Sequence, residues 1–245
     1  MKKSFLGIAP VFLAAATPAI ATDSQMEDDN AAVIAAFEAI NAKQFELAIS
    51  KANMVIKNFE DGKRSDSIYR CASGLSDNLN TLLGAALRLD QSDLDEGKSV
   101  TAAVSDDICS AYFAKGFALI DIGNRDEALP NLQMAVEMDP DTQHYMNELA
   151  EWHKVGRDWQ TSLDIFTKAS ETNDLSIALM EDEKQSTEIT NSMRCRSYRG
   201  IAFNHVEMGN WTDARSAIDE CLKLIPDDPG SLQELKYIDA QSVEK

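Results

Sequence analysis

The sequence predicts an all-α chain built by stacking helix-turn-helix repeats. Three observations lead there. Across 245 residues only six prolines and eleven glycines interrupt long amphipathic stretches rich in Ala, Leu, Glu, Lys and Met, which favours helix over strand. Eight positions, Tyr112, Gly116, Leu119, Gly123, Ala128, Leu132, Ala135 and Pro140, recur with unchanged spacing 86 residues later as Tyr198, Ala202, His205, Gly209, Ala214, Ile218, Cys221 and Pro226. Between them a partial copy runs through Met146, Leu149, Ala150, His153, Ser162, Phe166 and Ala169, 34 residues after the first, with Gly156 one place early. Self-similarity at a fixed period marks a repeat architecture.

Each unit reads as an apolar stripe, a turn at Gly123-Asn124 or Gly209-Asn210, and a second apolar stripe closed by Pro140 or Pro226. Two antiparallel helices satisfy that pattern. Small residues at Gly116 and Ala128, and at Ala202 and Ala214, mark where helix axes approach, while Leu132, Ile218 and Phe166 fill the gap toward the next unit. One helical pair cannot bury its apolar face alone, so units must stack. An ordinary helical bundle shares the apolar period but not the recurrence of small, aromatic and proline positions at 34-residue spacing.

These positions resemble the tetratricopeptide repeat (TPR), whose 34-residue consensus runs W-x2-L-G-x2-Y, then A-x3-F, then P. The match covers 109–142, 143–176 and 195–228. A weaker copy with Ala36, Phe45 and Ala48 covers 29–62, and another with Tyr69, Ser73, Ala85 and Leu89 covers 66–99, so 29–108 is expected to form degenerate helical repeats. The resemblance implies a right-handed superhelical stack, a TPR-like α-solenoid.

The remaining segments fall around the repeats. Met1-Lys2-Lys3, the apolar stretch Phe5 to Ala16 and the small residues up to Ala21 have the order of a secretory signal peptide, with cleavage expected after Ala21. The apolar stretch is too short to span a bilayer and Pro10 interrupts it. Export to the periplasm or outside the cell is therefore expected, without stable membrane insertion. Residues 22–28 read as a linker and 177–194 as an insertion between repeats. Residues 229–245, opening on Pro229-Gly230, read as a polar capping helix and tail.

Charge excludes some functions. The chain carries 23 basic and 41 acidic side chains. That balance repels nucleic acid and anionic membranes, since neutralising phosphate requires clustered Lys and Arg. There is no G-x-S-x-G, no phosphate-binding glycine loop, no H-E-x-x-H and no C-x-x-C. His153 and His205 take positions where the repeat wants an aromatic ring, and His144, four residues before Glu148, lacks a third metal ligand at useful spacing. No enzyme, cofactor or metal site is expected.

Four cysteines in an exported chain are compatible with two disulfides. In an antiparallel hairpin, residues at one level share a constant index sum; Cys195 with Cys221 has the same sum as Ala202 with Ala214. Each cysteine lies seven residues from its alanine, nearly two turns, on one face. That pairing leaves Cys71 for Cys109, on what should be first helices of adjacent units. The alternative is buried free thiols, since Cys221 aligns with Ala135 and Ala169.

In the family resembled here, first helices line a concave groove that holds peptides or protein segments. The resemblance implies groove positions at Ser110, Phe113, Phe117 and Ile120, then His144, Asn147, Glu151 and Lys154, then Arg196, Arg199, Phe203 and Val206. Phe113 and Phe117 stand where chaperone-tail-binding members carry a polar clamp, which argues against that ligand; both also suit an inter-repeat core. Arg194, Arg196 and Arg199 cluster in an otherwise acidic chain and favour an acidic segment, unless they pair with acids of the neighbouring unit. The expected function is a non-catalytic scaffold or adaptor for a protein or peptide partner. The alternative is a spacer that stabilises a larger envelope complex through its outer surface.

Overall fold

The computed structural model describes residues 23–72, 100–178 and 180–242. Helices α1 (Asp23–Asn41) and α2 (Phe45–Gly62) form the first pair, followed by strands β1 (Ser67–Ala72) and β2 (Val100–Ser105). The second pair is α3 (Asp106–Asp121) and α4 (Arg125–Met138), and the third is α5 (Gln143–Val155) and α6 (Trp159–Glu171). The short α7 (Leu175–Ala178) precedes α8 (Glu183–Glu207), α9 (Trp211–Leu224) and the end helix α10 (Pro229–Ser242). The architecture is the all-α, TPR-like solenoid that the repeat predicts.

All four pairs turn by the same device. A residue with positive φ follows each first helix: Lys43 (57°), Gly123 (84°), Arg157 (62°) and Gly209 (81°). The next amide then reaches back five residues, from Gln44 to the Ala39 carbonyl, Asn124 to Leu119, Asp158 to His153, and Asn210 to His205, at 2.8 to 3.0 Å. These are the capping bonds of a left-handed helix terminus. The displaced Gly156 is thereby explained: Arg157 occupies the left-handed position, at a steric cost that glycine avoids.

Helices pack through two contacts of one kind, one within the second pair and one between the third and fourth. A Cβ added at Gly116 of α3 would sit 2.7 Å from Leu132 Cδ2 on α4, and one at Gly200 of α8 would sit 2.4 Å from the Phe166 ring on α6. Phe166 and Leu132 are fully buried. One apolar cluster joins α1 through α5 around Tyr112, Phe113 and Leu132; a second joins α5, α6, α8, α9 and α10 around Phe166, Ile218 and Ile238. A polar seam runs beside the second. Gln143 donates to the Ala169 and Thr172 carbonyls, Ser197 donates to Asn147, and Asn204 donates to Ser162, which donates to the Ala150 carbonyl.

Three sequence expectations change. Residues 22–28 are not a linker, because α1 already begins at Asp23; the run of acids Glu27, Asp28 and Asp29 is what makes the segment look unstructured. The 29–108 segment is not helical throughout. β1 and β2 pair in parallel from Ser67 opposite Val100 to Ala72 opposite Ser105, where Ile68, Tyr69 and Val104 supply β-favouring side chains. The 177–194 insertion mostly merges with the following repeat, since Asp182 caps α8 by accepting from the Lys184 and Gln185 amides and no proline follows before Glu207. Residues 1–21 and most of the 66–99 copy lie outside the described residues.

Both expected cysteine pairs stand at disulfide distance, Cys71 with Cys109 and Cys195 with Cys221, with Cα atoms 6.2 and 4.6 Å apart. Cys71 lies on β1 rather than on a first helix, so its bridge ties the strand pair to α3. On a chain-entropy estimate each crosslink stabilises by about 3.5 to 4 kcal/mol. Non-reducing peptide mapping of protein recovered from the exporting compartment should find these two pairs and no others. Gly200→Ala should lower stability by about 1 to 3 kcal/mol in thermal unfolding, because the new methyl group overlaps the Phe166 ring. Gly62→Ala, with nothing within 4 Å, is the control and should not destabilise.

Candidate functional site

The first helices α1, α3, α5 and α8 stand in sequence along one side of the stack, and α10 follows α8 where the first helix of a further repeat would stand. Asp228 caps α10 by accepting from the Ser231 amide at 2.7 Å, and Pro229 takes the first turn, where its missing N–H costs nothing. Arg199 on α8 reaches Asp228 at 2.8 Å and lies across Gly230, whose lack of a side chain leaves it room. Ser231, fully buried, points its hydroxyl 2.9 Å from Cys221 Sγ. Arg215 pairs with Asp239 further along.

A cavity of about 330 Å³ opens between α5, α8 and α10. Glu151 and Lys154 line it from α5, Arg196, Arg199, Gly200 and Phe203 from α8, and Gly230, Gln233 and Glu234 from α10. Five of the groove residues expected from sequence, Glu151, Lys154, Arg196, Arg199 and Phe203, therefore come together here.

Phe113, Phe117 and Asn147 go elsewhere. Phe113 is 3 % exposed and belongs to the inter-repeat core, with ring centroids 6.3 Å from Phe37, 6.2 Å from Phe117, 4.5 Å from His144 and 5.1 Å from Tyr145. Phe117 is half-buried against the same cluster. Asn147 is fully buried, accepting from the Ser197 hydroxyl at 2.7 Å and donating to the Met193 carbonyl at 3.4 Å, so it joins α5 to α8 rather than facing a ligand. The aromatic end of the expected groove is packed interior, since four adjacent rings bury one another more favourably than each would face water.

The cavity's cations are already engaged. Arg196 pairs with Glu148 of the preceding unit at 2.7 Å, Arg199 with Asp228, and Lys154 with Glu151 at 2.5 Å while its ammonium lies 4.9 Å from the Phe203 ring centroid. Arg194 donates to the Asn173 side chain outside the cavity. Glu234 is different. Burial pushes its carboxyl above the ordinary carboxylate range even though Lys154 and Arg199 pull the other way.

Gly230, Gln233 and Glu234 line the cavity but are missed by the sequence reading, although a signal is present. Counting one 34-residue period on from Arg196, Arg199 and Gly200 lands on them. The signal is hidden because the tail's residues no longer match the repeat's small and aromatic positions.

Comparison with one solved structure supports the fold. No protein-family model matches the chain, and no curated protein matches it by sequence. Among solved structures, Pseudomonas aeruginosa PilF is similar with a TM-score of 0.58 at 10 % identity, over 89 % of this chain and 71 % of that one. MamA (MSR-1) gives 0.49 at 12 % identity, over 89 % and 87 %. A TPR-repeat protein from Bacteroides fragilis gives 0.27 at 13 % identity, over 87 % and 98 %.

His144, another groove candidate, is mostly buried beside this region, and its Nδ1 lacks a hydrogen-bond partner. Burial, helped by the nearby Arg196 charge and opposed by Asp174, pulls its imidazole down to about 4. Asp139 moves the other way: burial pushes its carboxyl up to about 6, with Asp106 and Asp174 adding to the rise and the Thr142 hydroxyl opposing it. Between the unfolded value of 6.5 and about 4, the unfolded chain binds more protons at His144, so acidification removes stability there. Asp139 stabilises fully below its unfolded 3.8 and loses that contribution as pH rises through 6, so acidification restores it. His144→Phe should therefore gain stability over the wild type as pH falls from 6.5 to 4, and Asp139→Asn should lose it, each by at most about 1.4 kcal/mol per pH unit. Denaturant titrations at each pH check this, and curves parallel to wild type would contradict the burial assigned to both groups.

Proposed function

We propose that the chain is a non-catalytic scaffold that holds a segment of a protein partner in the cleft between α5, α8 and α10, in the periplasm or outside the cell. The observation that carries the reading is the cleft itself: three successive helices of the first-helix row contribute side chains to one cavity of about 330 Å³. That volume is at the lower end for a ligand site and fits one or two side chains of a bound segment rather than a large cofactor. The two disulfide-distance cysteine pairs support an oxidising compartment, as does the export signal read at residues 1–21. No described helix is long and apolar enough to cross a membrane.

An acidic segment, the ligand suggested by the arginine cluster, would have to compete with Glu148 and Asp228 for Arg196 and Arg199. Breaking such partly buried pairs strands a charge and costs more than the exposed pairs elsewhere on the chain. The spacer reading keeps one observation in its favour. Leu47 and Met54, two turns apart on α2, are 45 % and 53 % exposed on a helix that does not line the cleft.

The two readings separate in one experiment. Tagged protein carrying Gln233→Trp, which fills the cleft from an exposed position on α10, and protein carrying Leu47→Ser with Met54→Ser are compared with wild type in affinity capture from an extract of the exporting compartment. The scaffold reading expects Gln233→Trp to lose the retained protein while the α2 variant keeps it. The reverse result would sink the cleft and favour the spacer.

A further inference from the structure

Resting on that scaffold reading, we propose that the cleft receives a basic side chain, a lysine or arginine on the partner segment, with Glu234 as the carboxylate that binds it. The assignment follows from which charges in the cavity are already paired. Arg196, Arg199 and Lys154 each hold a carboxylate within 2.8 Å, supplied by Glu148, Asp228 and Glu151. An added anion would have to share each of them with the carboxylate it already holds. Glu234 is half-buried, lines the same cavity and has no ion-pair or hydrogen-bond partner among the described residues. With three internal pairs formed, Glu234 is left as the lining carboxylate without a direct ion pair, reached by Lys154 and Arg199 only at longer range.

A guanidinium or ammonium entering from the partner would supply the partner that burial makes costly to lack. Burial already disfavours the Glu234 anion despite the two cations nearby, so a cation in direct contact gains more there than at an exposed acid. Gln233, exposed beside it, offers a neutral acceptor for a remaining N–H. An acidic side chain would instead bring a second carboxylate against Glu234 and Glu151. At longer range the net charge of −18 attracts basic segments and repels acidic ones, which raises the rate of encounter.

The probes are three end-blocked hexapeptides in which glycine alternates with arginine, glutamine or glutamate, added to isotopically labelled protein with its disulfides intact. The arginine peptide should shift the amide resonances of Gly200, Gly230 and Gln233. Glu234→Gln should weaken its binding about tenfold at low salt, the scale of one partly buried charge pair. Glu137→Gln, which removes one exposed acid from α4, should change it less than about twofold. Equal loss in both variants would make the attraction a property of net charge and overturn the proposal. Cleft shifts from the glutamate or glutamine peptide with none from the arginine peptide would overturn the assignment to a basic ligand while leaving the cleft as the binding site. Cleft resonances that none of the three peptides moves would count against both.

Discussion

The stack depends on how closely successive helices approach, and Gly200 against Phe166 sets the tightest contact of that kind. The ring occupies the volume a side chain at Gly200 would need, so α8 lies directly on α6 and carries its neighbouring residues to a fixed height. Gly116 against Leu132 does the same within the second pair. Dense packing of this sort transmits position, because an interior at crystal-like density cannot absorb a displaced helix without opening voids. Arg196, Arg199 and Phe203 reach the cleft because Gly200, between them on α8, is seated against Phe166.

The end of a solenoid is its weak point, having a neighbour on only one side. Here α10 is held by several independent contacts: the apolar burial of Ile238, the Arg199–Asp228 pair, the Ser231 hydroxyl against the Cys195–Cys221 bridge, and Arg215 with Asp239. These contacts make α10 a wall of the cleft as well as a cap. The same residue serves both purposes in Arg199, which secures α10 and in doing so gives up the charge that would otherwise attract an acidic ligand.

At the other end, the strand pair solves a different problem. Residues 67–72 and 100–105 fall where the repeat pattern fades, and the parallel ladder with the Cys71–Cys109 bridge brings the flanks of a long interruption together before α3 begins. A periodicity tuned to helices makes Tyr69 and its neighbours look like a weak helical copy. Alternation over six residues is too short to outweigh that reading, and the pairing partner lies some thirty residues away.

By itself the sequence determined the features that local rules and repetition dictate. The 34-residue period implied paired helices; the small residues implied close approach; and the constant index sum matched Cys195 with Cys221, because hairpin register is fixed by the turn between the helices. Only the tertiary structure decided which side of a first helix meets a neighbour and which meets solvent. Phe113 and Asn147 share their repeat position with Arg199, yet the first two are buried and the third reaches a cavity, since each has a different element stacked over it. The pairing of Arg196 and Arg199, and with it the charge left at Glu234, was likewise decided there. Ion pairs between units depend on distances across the stack, from Arg196 on α8 to Glu148 on α5, that no local spacing along the chain encodes.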